Sequence, residues 1–280
     1  YMKAVILNIS AWMLLPFMDG IAKFLSQDIH FLQVVWGRYF FMALFSILVT
    51  YIFFKKHFSF PKGIQIQIFR SVFLFFSTVF FFYAISVISL AEALTLAFIS
   101  PIIATILSFF ILKEKVGPRR WVAVVAGFIG VLFVIRPGFN EINIATFAAI
   151  GAGICYAFYV ISTRKLSSID SPMMTLIFTG LTGALVISLL VPFFWTWLSL
   201  SQWLLLISLA AIGTLAHFLL ILSLTLAEAS KLAPLSYSEI IMNVIIGYYF
   251  FGDFPDQWIW IGLAIIVASG VYISLRENKK

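Results

Sequence analysis

One cysteine, Cys155, among 280 residues has no intrachain partner, so the fold holds itself together without a disulfide. Charge is scarce too: 10% of residues are Asp, Glu, Lys or Arg, against about 25% in soluble domains. The three histidines, at 30, 57 and 217, are scattered, and no H-E-x-x-H or paired-acid motif accompanies them, which counts against a lipid-acting membrane enzyme. No Gly-rich GKS or GKT loop occurs, so an ATPase site is missing. What is present is apolar: 63% hydrophobic residues and a mean hydropathy of +1.10. So few charges cannot cover a surface facing water, and the chain is an integral membrane protein. A net charge of +7 would suit nucleic acid, but the basic residues sit in short connections between apolar runs. Lipid headgroups and topology explain them, and no nucleic-acid partner is expected.

A bilayer core of about 30 Å needs roughly 20 helical residues. Runs of that length lie near 4–25, 31–54, 68–88, 91–112, 119–136, 144–163, 172–194, 203–224, 230–251 and 257–275. The expectation is an all-α integral membrane fold of ten transmembrane helices. A membrane barrel would instead alternate over segments of about ten residues. Fifteen of the eighteen Lys and Arg fall at the termini or in even-numbered connections, Arg70 being counted among them. The odd-numbered connections hold only Arg136. That asymmetry puts both termini in the cytoplasm. The stretch 58–69 reads as an interfacial segment. The first run carries Asp19 and Lys23 and leads straight into a second, which is unlike a cleaved leader.

The chain repeats itself. Leu-Ala-Glu-Ala occurs at 90–93 and again at 226–229, each time opening an apolar run. KFLSQD (23–28) aligns with KLSSID (165–170), and Trp121–Val131 with Trp260–Val271. Two halves follow, 1–136 and 144–280, each with five helices. An odd number of crossings makes the halves enter from opposite sides: an inverted repeat around a central cavity, the usual symmetry of secondary transporters. This symmetry speaks against a channel or a receptor. Glu92 and Glu228 read most simply as acidic residues at helix N-termini.

With two such halves, Leu-Ala-Glu-Ala before each fourth helix, and Trp121, Gly127 and Gly130 closing the first half, the chain resembles the EamA family of the drug/metabolite transporters. VVWGRYFF (34–41), FFFYAISVISLAEA (80–93), SPIIATILSFFILKEKVGPRRW (100–121), STRKLSSID (162–170) and FGDFPDQWIWIG (251–262) resemble one bacterial subgroup. Its members include S-adenosylmethionine and riboflavin transporters. The resemblance implies a secondary active carrier in the bacterial inner membrane, working by alternating access, with no enzymatic activity and no cofactor. Its implied partners are a small metabolite, the bilayer, a coupling proton or exchanged substrate, and a second copy of the chain.

Charges inside spans are the sharpest functional signal, because each costs roughly 2.5–3.5 kcal/mol at a helix centre on insertion scales. Asp19 and Lys23 are four residues apart and share a helix face with Trp12 and Pro16. Arg38 lies at similar depth in the second run, so Asp19, Lys23 and Arg38 can cluster around a substrate carboxylate. The alternative is an ion pair that only pins helices. Glu239, with Asn243 one turn on and Ser236 and Tyr237 nearby, could bind a cationic group or carry a proton. His217 titrates near neutral pH and is a second candidate proton carrier. Polar-tipped aromatics, Trp36 with Tyr39, Tyr83, and Tyr156 with Tyr159, could stack a flat or cationic group. Ser100 with Pro101 could free a carbonyl. Together these residues fit a zwitterionic or amphipathic, amino-acid-like metabolite such as S-adenosylmethionine or an amino acid. Riboflavin or another flat aromatic metabolite is the alternative.

Overall fold

The computed structural model describes residues 1–53, 61–115, 117–135 and 143–277. Lys55, Lys56, His57, Arg136, Lys279 and Lys280 lie outside them. Among the described residues there is no strand. The helices are α1 (Met2–Leu25), α2 (Phe31–Phe53), α3 (Ile64–Val87), α4 (Leu90–Ala97), α5 (Ile99–Ile111) and α6 (Pro118–Ile135). They continue as α7 (Ile144–Leu166), α8 (Pro172–Leu190), α9 (Leu200–Leu226), α10 (Ala229–Leu232), α11 (Glu239–Phe251) and α12 (Gln257–Glu277). Short 3₁₀ turns cover Val191–Phe194 and Ala233–Ser238.

Helix is what such apolar runs must form in lipid, where every backbone N–H and C=O has to find its partner within the chain. Seven stretches are long and apolar enough to cross a membrane: Met2–Leu25, Phe31–Ile52, Ile64–Val87, Leu90–Ile111, Ile144–Leu166, Pro172–Phe194 and Leu200–Leu226. The chain is thus a multi-pass, all-helical membrane protein. Side-chain caps mark several starts. Ser89 accepts from Glu92 N at 3.2 Å, Asn143 from Thr146 N at 3.0 Å and Ser171 from Met174 N at 3.3 Å. Gly252, at φ +69°, closes α11 in the left-handed region that glycine enters without strain.

The helices pair in a regular scheme. α1 packs on α9, α3 on α7, α2 on α8 and α6 on α12, and the α4–α5 and α10–α11 segments sit against α7 and α1. Small residues set the closest approaches. A Cβ at Gly180 of α8 would come within 2.6 Å of the Ala43 backbone nitrogen on α2, and one at Gly183 would enter the Tyr39 ring. Large exposed side chains such as Leu189, Tyr249 and Phe250 point away from this core, as lipid-facing residues would.

Two expectations need correction. Arg70 is no connection residue: it stands inside α3 and is fully buried. The expected interfacial stretch 58–69 lies outside the described residues at 58–60, and from Ile64 onward it is already the first turns of α3. Asp170, in the α7–α8 connection, fastens that start by accepting from Lys62 N at 2.8 Å and Gln67 Nε2 at 3.1 Å.

Candidate functional site

Two helical runs break beside one another. α4 ends at Ala97, Phe98 forms the joint, and α5 carries Pro101 in its first turn. Proline lacks an N–H, so the Ala97 carbonyl loses its helical donor. α10 passes through the 3₁₀ turn before α11 begins at Glu239. Ser100 and Ser236, one near each break, repeat the spacing of the two Leu-Ala-Glu-Ala copies. Both line a cavity whose other polar lining comes from Asp19, Arg38, Ser77, Thr78, Tyr156, His217 and Glu239, with Trp12, Phe81 and Phe98 as its aromatic wall. It has about 90 Å³ of room for the centres of water-sized molecules.

Of the residues singled out in the sequence, the fold brings Trp12, Asp19, Arg38, Ser100, Tyr156, His217 and Glu239 to this one cavity, from six helical segments. Asp19 and Glu239 are 2% and 4% exposed, and among the described residues neither has a cation within 4.0 Å; Asp19 Oδ1 has no hydrogen-bond partner. Arg38 donates through Nη1 to Thr78 Oγ1 at 2.7 Å and through Nη2 to His217 Nε2 at 2.6 Å. A guanidinium can only donate, so Nε2 must accept. His217 is therefore the neutral tautomer protonated on Nδ1, which donates to the Tyr159 hydroxyl at 3.2 Å. In this arrangement His217 orients Arg38, whereas a proton carrier would need Nε2 free.

The remaining candidates lie elsewhere. Lys23 turns away from Asp19: its Nζ is 3.2 Å from Asp253 Oδ2 and donates to the Ile88 carbonyl at 3.0 Å. The expected three-charge cluster thus loses one member. Trp36 donates to Ser188 Oγ at 3.2 Å amid Phe40, Trp195 and Trp203, an exposed aromatic group of the kind that anchors a membrane interface. Tyr39 is fully buried, its hydroxyl 2.8 Å from Thr78 Oγ1, and so supports Arg38 from behind. Tyr83 packs on Phe31 and Tyr237 on Phe98. Asn243 is fully buried, and neither its amide nitrogen nor its oxygen has a partner.

Sequence reasoning missed Ser77 and Thr78, which look like any hydroxyl in an apolar helix. It also missed the setting of Arg70. That guanidinium donates to Thr163 Oγ1 at 2.9 Å, to the Thr175 carbonyl at 3.0 Å and to Thr179 Oγ1 at 2.6 Å. It lies over the Tyr159 ring, 4.7 Å from the centroid. The four-residue spacing of Thr163 from Tyr159, and of Thr179 from Thr175, was the available signal.

The cavity wall tolerates little. A Cβ at Gly153 of α7 would run into the Ala97 carbonyl and reach within 2.8 Å of Ile99 Cγ2. Gly153→Val should therefore destabilise the protein by about 1–3 kcal/mol, the usual cost of overpacking. A fall in the thermal midpoint of detergent-purified protein would register it, and an unchanged midpoint would mean that the α7 contact gives way easily.

A bundle of membrane helices with charged side chains turned into one pocket beside two helix breaks defines a class: a polytopic membrane protein with a buried polar site. The sequence matches the EamA-like transporter family over residues 2–136 and again over 143–275, and the chain belongs to that family. It is 27% identical over 278 residues to the S-adenosylmethionine uptake transporter of Rickettsia prowazekii, covering 98% of this chain and 94% of the relative. It is 34% identical over 190 residues to the riboflavin transporter of Vibrio cholerae, covering 68% of this chain and 64% of the relative. A crystal structure of a protein 17% identical superposes with a TM-score of 0.79 over 100% of this chain and 99% of its own, which is a likeness of fold.

Proposed function

We propose that the chain is a secondary carrier that takes a small amino-acid-like metabolite bearing a positive group through the central cavity by alternating access. The observation that carries this reading is the charge set facing the cavity: two buried carboxylates, Asp19 and Glu239, neither with a cation within 4.0 Å among the described residues, and one guanidinium, Arg38. Only when both carboxylates are ionised does the wall carry one more negative than positive charge, and a cationic substrate group is what would favour that state. A carboxylate on the substrate suits Arg38, and a sulfonium or ammonium suits Asp19 and Glu239. The aromatic wall of Trp12, Phe81 and Phe98 suits an apolar body. S-adenosylmethionine, the substrate named for the Rickettsia relative, has this chemistry. Riboflavin, named for the Vibrio relative, would use the aromatic wall and leave the carboxylates idle.

The helix pairing supports two repeated halves, 1–136 and 144–280, with ten crossings, and the placing of Lys and Arg along the sequence supports inverted insertion with both termini in the cytoplasm. Shifting every crossing by five turns the α1–α9 contact into α7–α3 and the α2–α9 contact into α8–α3, while α2–α8 and α6–α12 map onto themselves. The cavity measures about 90 Å³, well below the roughly 300–1,000 Å³ of small-molecule sites, so it must widen to load. Coupling falls to a proton or an exchanged substrate meeting Asp19 and Glu239.

The test is counterflow in proteoliposomes loaded with unlabelled S-adenosylmethionine, paired with a thermal-shift series of S-adenosylmethionine, amino acids and riboflavin. A ligand at 100 times its Kd stabilises by about 2.7 kcal/mol. The expected result is a shift and trans-accelerated uptake with S-adenosylmethionine or a charged amino acid. A shift with riboflavin alone would favour the flavin reading, and flux without trans-acceleration would favour a channel.

A further inference from the structure

We propose that Lys23 and Asp253 form the gate that closes the cavity at the end where α3 meets α4 and α11 meets α12. This deepens the carrier reading and rests on it. Lys23 stands one turn beyond Asp19 on the same face of α1, so it lies directly past the cavity along that helix. Its ammonium gathers three separate segments. It pairs with Asp253 in the α11–α12 connection at 3.2 Å, donates to the Ile88 carbonyl at the end of α3 at 3.0 Å, and sits 5.4 Å from the centre of the Phe251 ring. One half of the chain supplies Lys23 and Ile88, and the other supplies Asp253 and Phe251.

Two further features single this contact out. By contrast, the Lys231–Glu228 ion pair spans three residues of one segment and holds nothing together across the bundle. Beneath the Lys23 contact, a Cβ at Gly20 of α1 would come within 2.8 Å of Ile246 Cγ2 on α11, so α1 and α11 pack closely where the pair is made. Toward the other end of α1 the contacts are neutral: Trp12 Nε1 donates to Asn8 Oδ1 within the helix, and Asn8 Nδ2 reaches across to Ser223 Oγ on α9, each at 2.9 Å. The two ends are thus fastened by unlike chemistry. The ionic end has side chains 14% and 33% exposed, and Asp253 Oδ2, itself shielded from water, makes no hydrogen bond among the described residues, so the pair is held by charge alone and can part and re-form.

The experiment uses the full chain with Cys155→Ser as background and a single reporter, Ser77→Cys, in the cavity wall. Intact cells are treated with a membrane-impermeant maleimide, which on the proposed topology arrives from the Lys23 side. Lys23→Met and Asp253→Asn should each raise the labelling rate about tenfold. The swapped pair, Lys23→Asp with Asp253→Lys, should bring it back within about threefold of the parent. An unchanged rate in both single variants, or a swap that labels as fast as they do, overturns the gate. Size-exclusion profiles, and Ser77→Cys labelling in inverted vesicles, which should fall as the rate in intact cells rises, separate opening of one end from unfolding. If the parent shows no counterflow yet the gate variants label faster, the carrier reading fails and the gate stands. If counterflow is present and labelling never changes, the gate fails alone.

Discussion

Arg38→Gln is expected to lower metabolite counterflow by at least about 30-fold while the protein still inserts and purifies as one species. Arg38 is the only cation lining the cavity, and both of its Nη groups are committed, to Thr78 and to His217. Removing one side of a buried charged contact costs about 2–5 kcal/mol, a factor of about 30 to several thousand. Gln keeps a polar tip but loses the charge and the planar fork. Arg38→Lys should recover little, because an ammonium cannot hold Thr78 and His217 while also meeting a carboxylate. Initial rates in proteoliposomes at matched protein content are the measurement. A Gln variant running near the parent rate would remove Arg38 from the substrate path and reduce it to a helix tie.

Neutralising the two carboxylates should move binding and stability in opposite directions. Asp19→Asn and Glu239→Gln are each expected to weaken a cationic metabolite about 10- to 100-fold, the loss of one hydrogen bond to a charged group at about 1.5–3 kcal/mol. A flat uncharged metabolite should change less than about twofold. Buried charge without a partner is costly, so the empty variants should melt higher than the parent. Titration calorimetry and thermal melts on the same preparations read both effects. Lower melting together with unchanged affinity would mean that both carboxylates have structural partners in the working protein.

The helices were legible because apolar length alone dictates them in a bilayer, and their observed limits follow the apolar runs closely. The break at Phe98 is foreshadowed by Pro101, whereas the one at 233–238 has only Pro234 to mark it. At the site, charge within a run was a sound guide to burial for Asp19, Arg38 and Glu239. It could not say which partner a long side chain would take. Lys23 shares a helix face with Asp19, yet its four-carbon stem carries the ammonium outward to Asp253 in a loop more than 200 residues away. Arg70 misled for the reverse reason: a cation near the start of an apolar run looks like a topology signal until Thr163, Thr175 and Thr179 arrive from two other helices. Periodicity reports a face and a depth, and only tertiary packing decides what that face meets.

The line where α2 meets α8 has a mechanical consequence. At Gly180 the α8 backbone lies directly against the backbone at Ala43, and at Gly183 only the ring of Tyr39 fills the space between the two helices. Sliding would drive backbone into backbone, and parting would strip the lining from both. A bulkier residue at position 180 would meet the Ala43 backbone itself, which cannot rotate out of the way as a side chain can, and would force α2 and α8 apart.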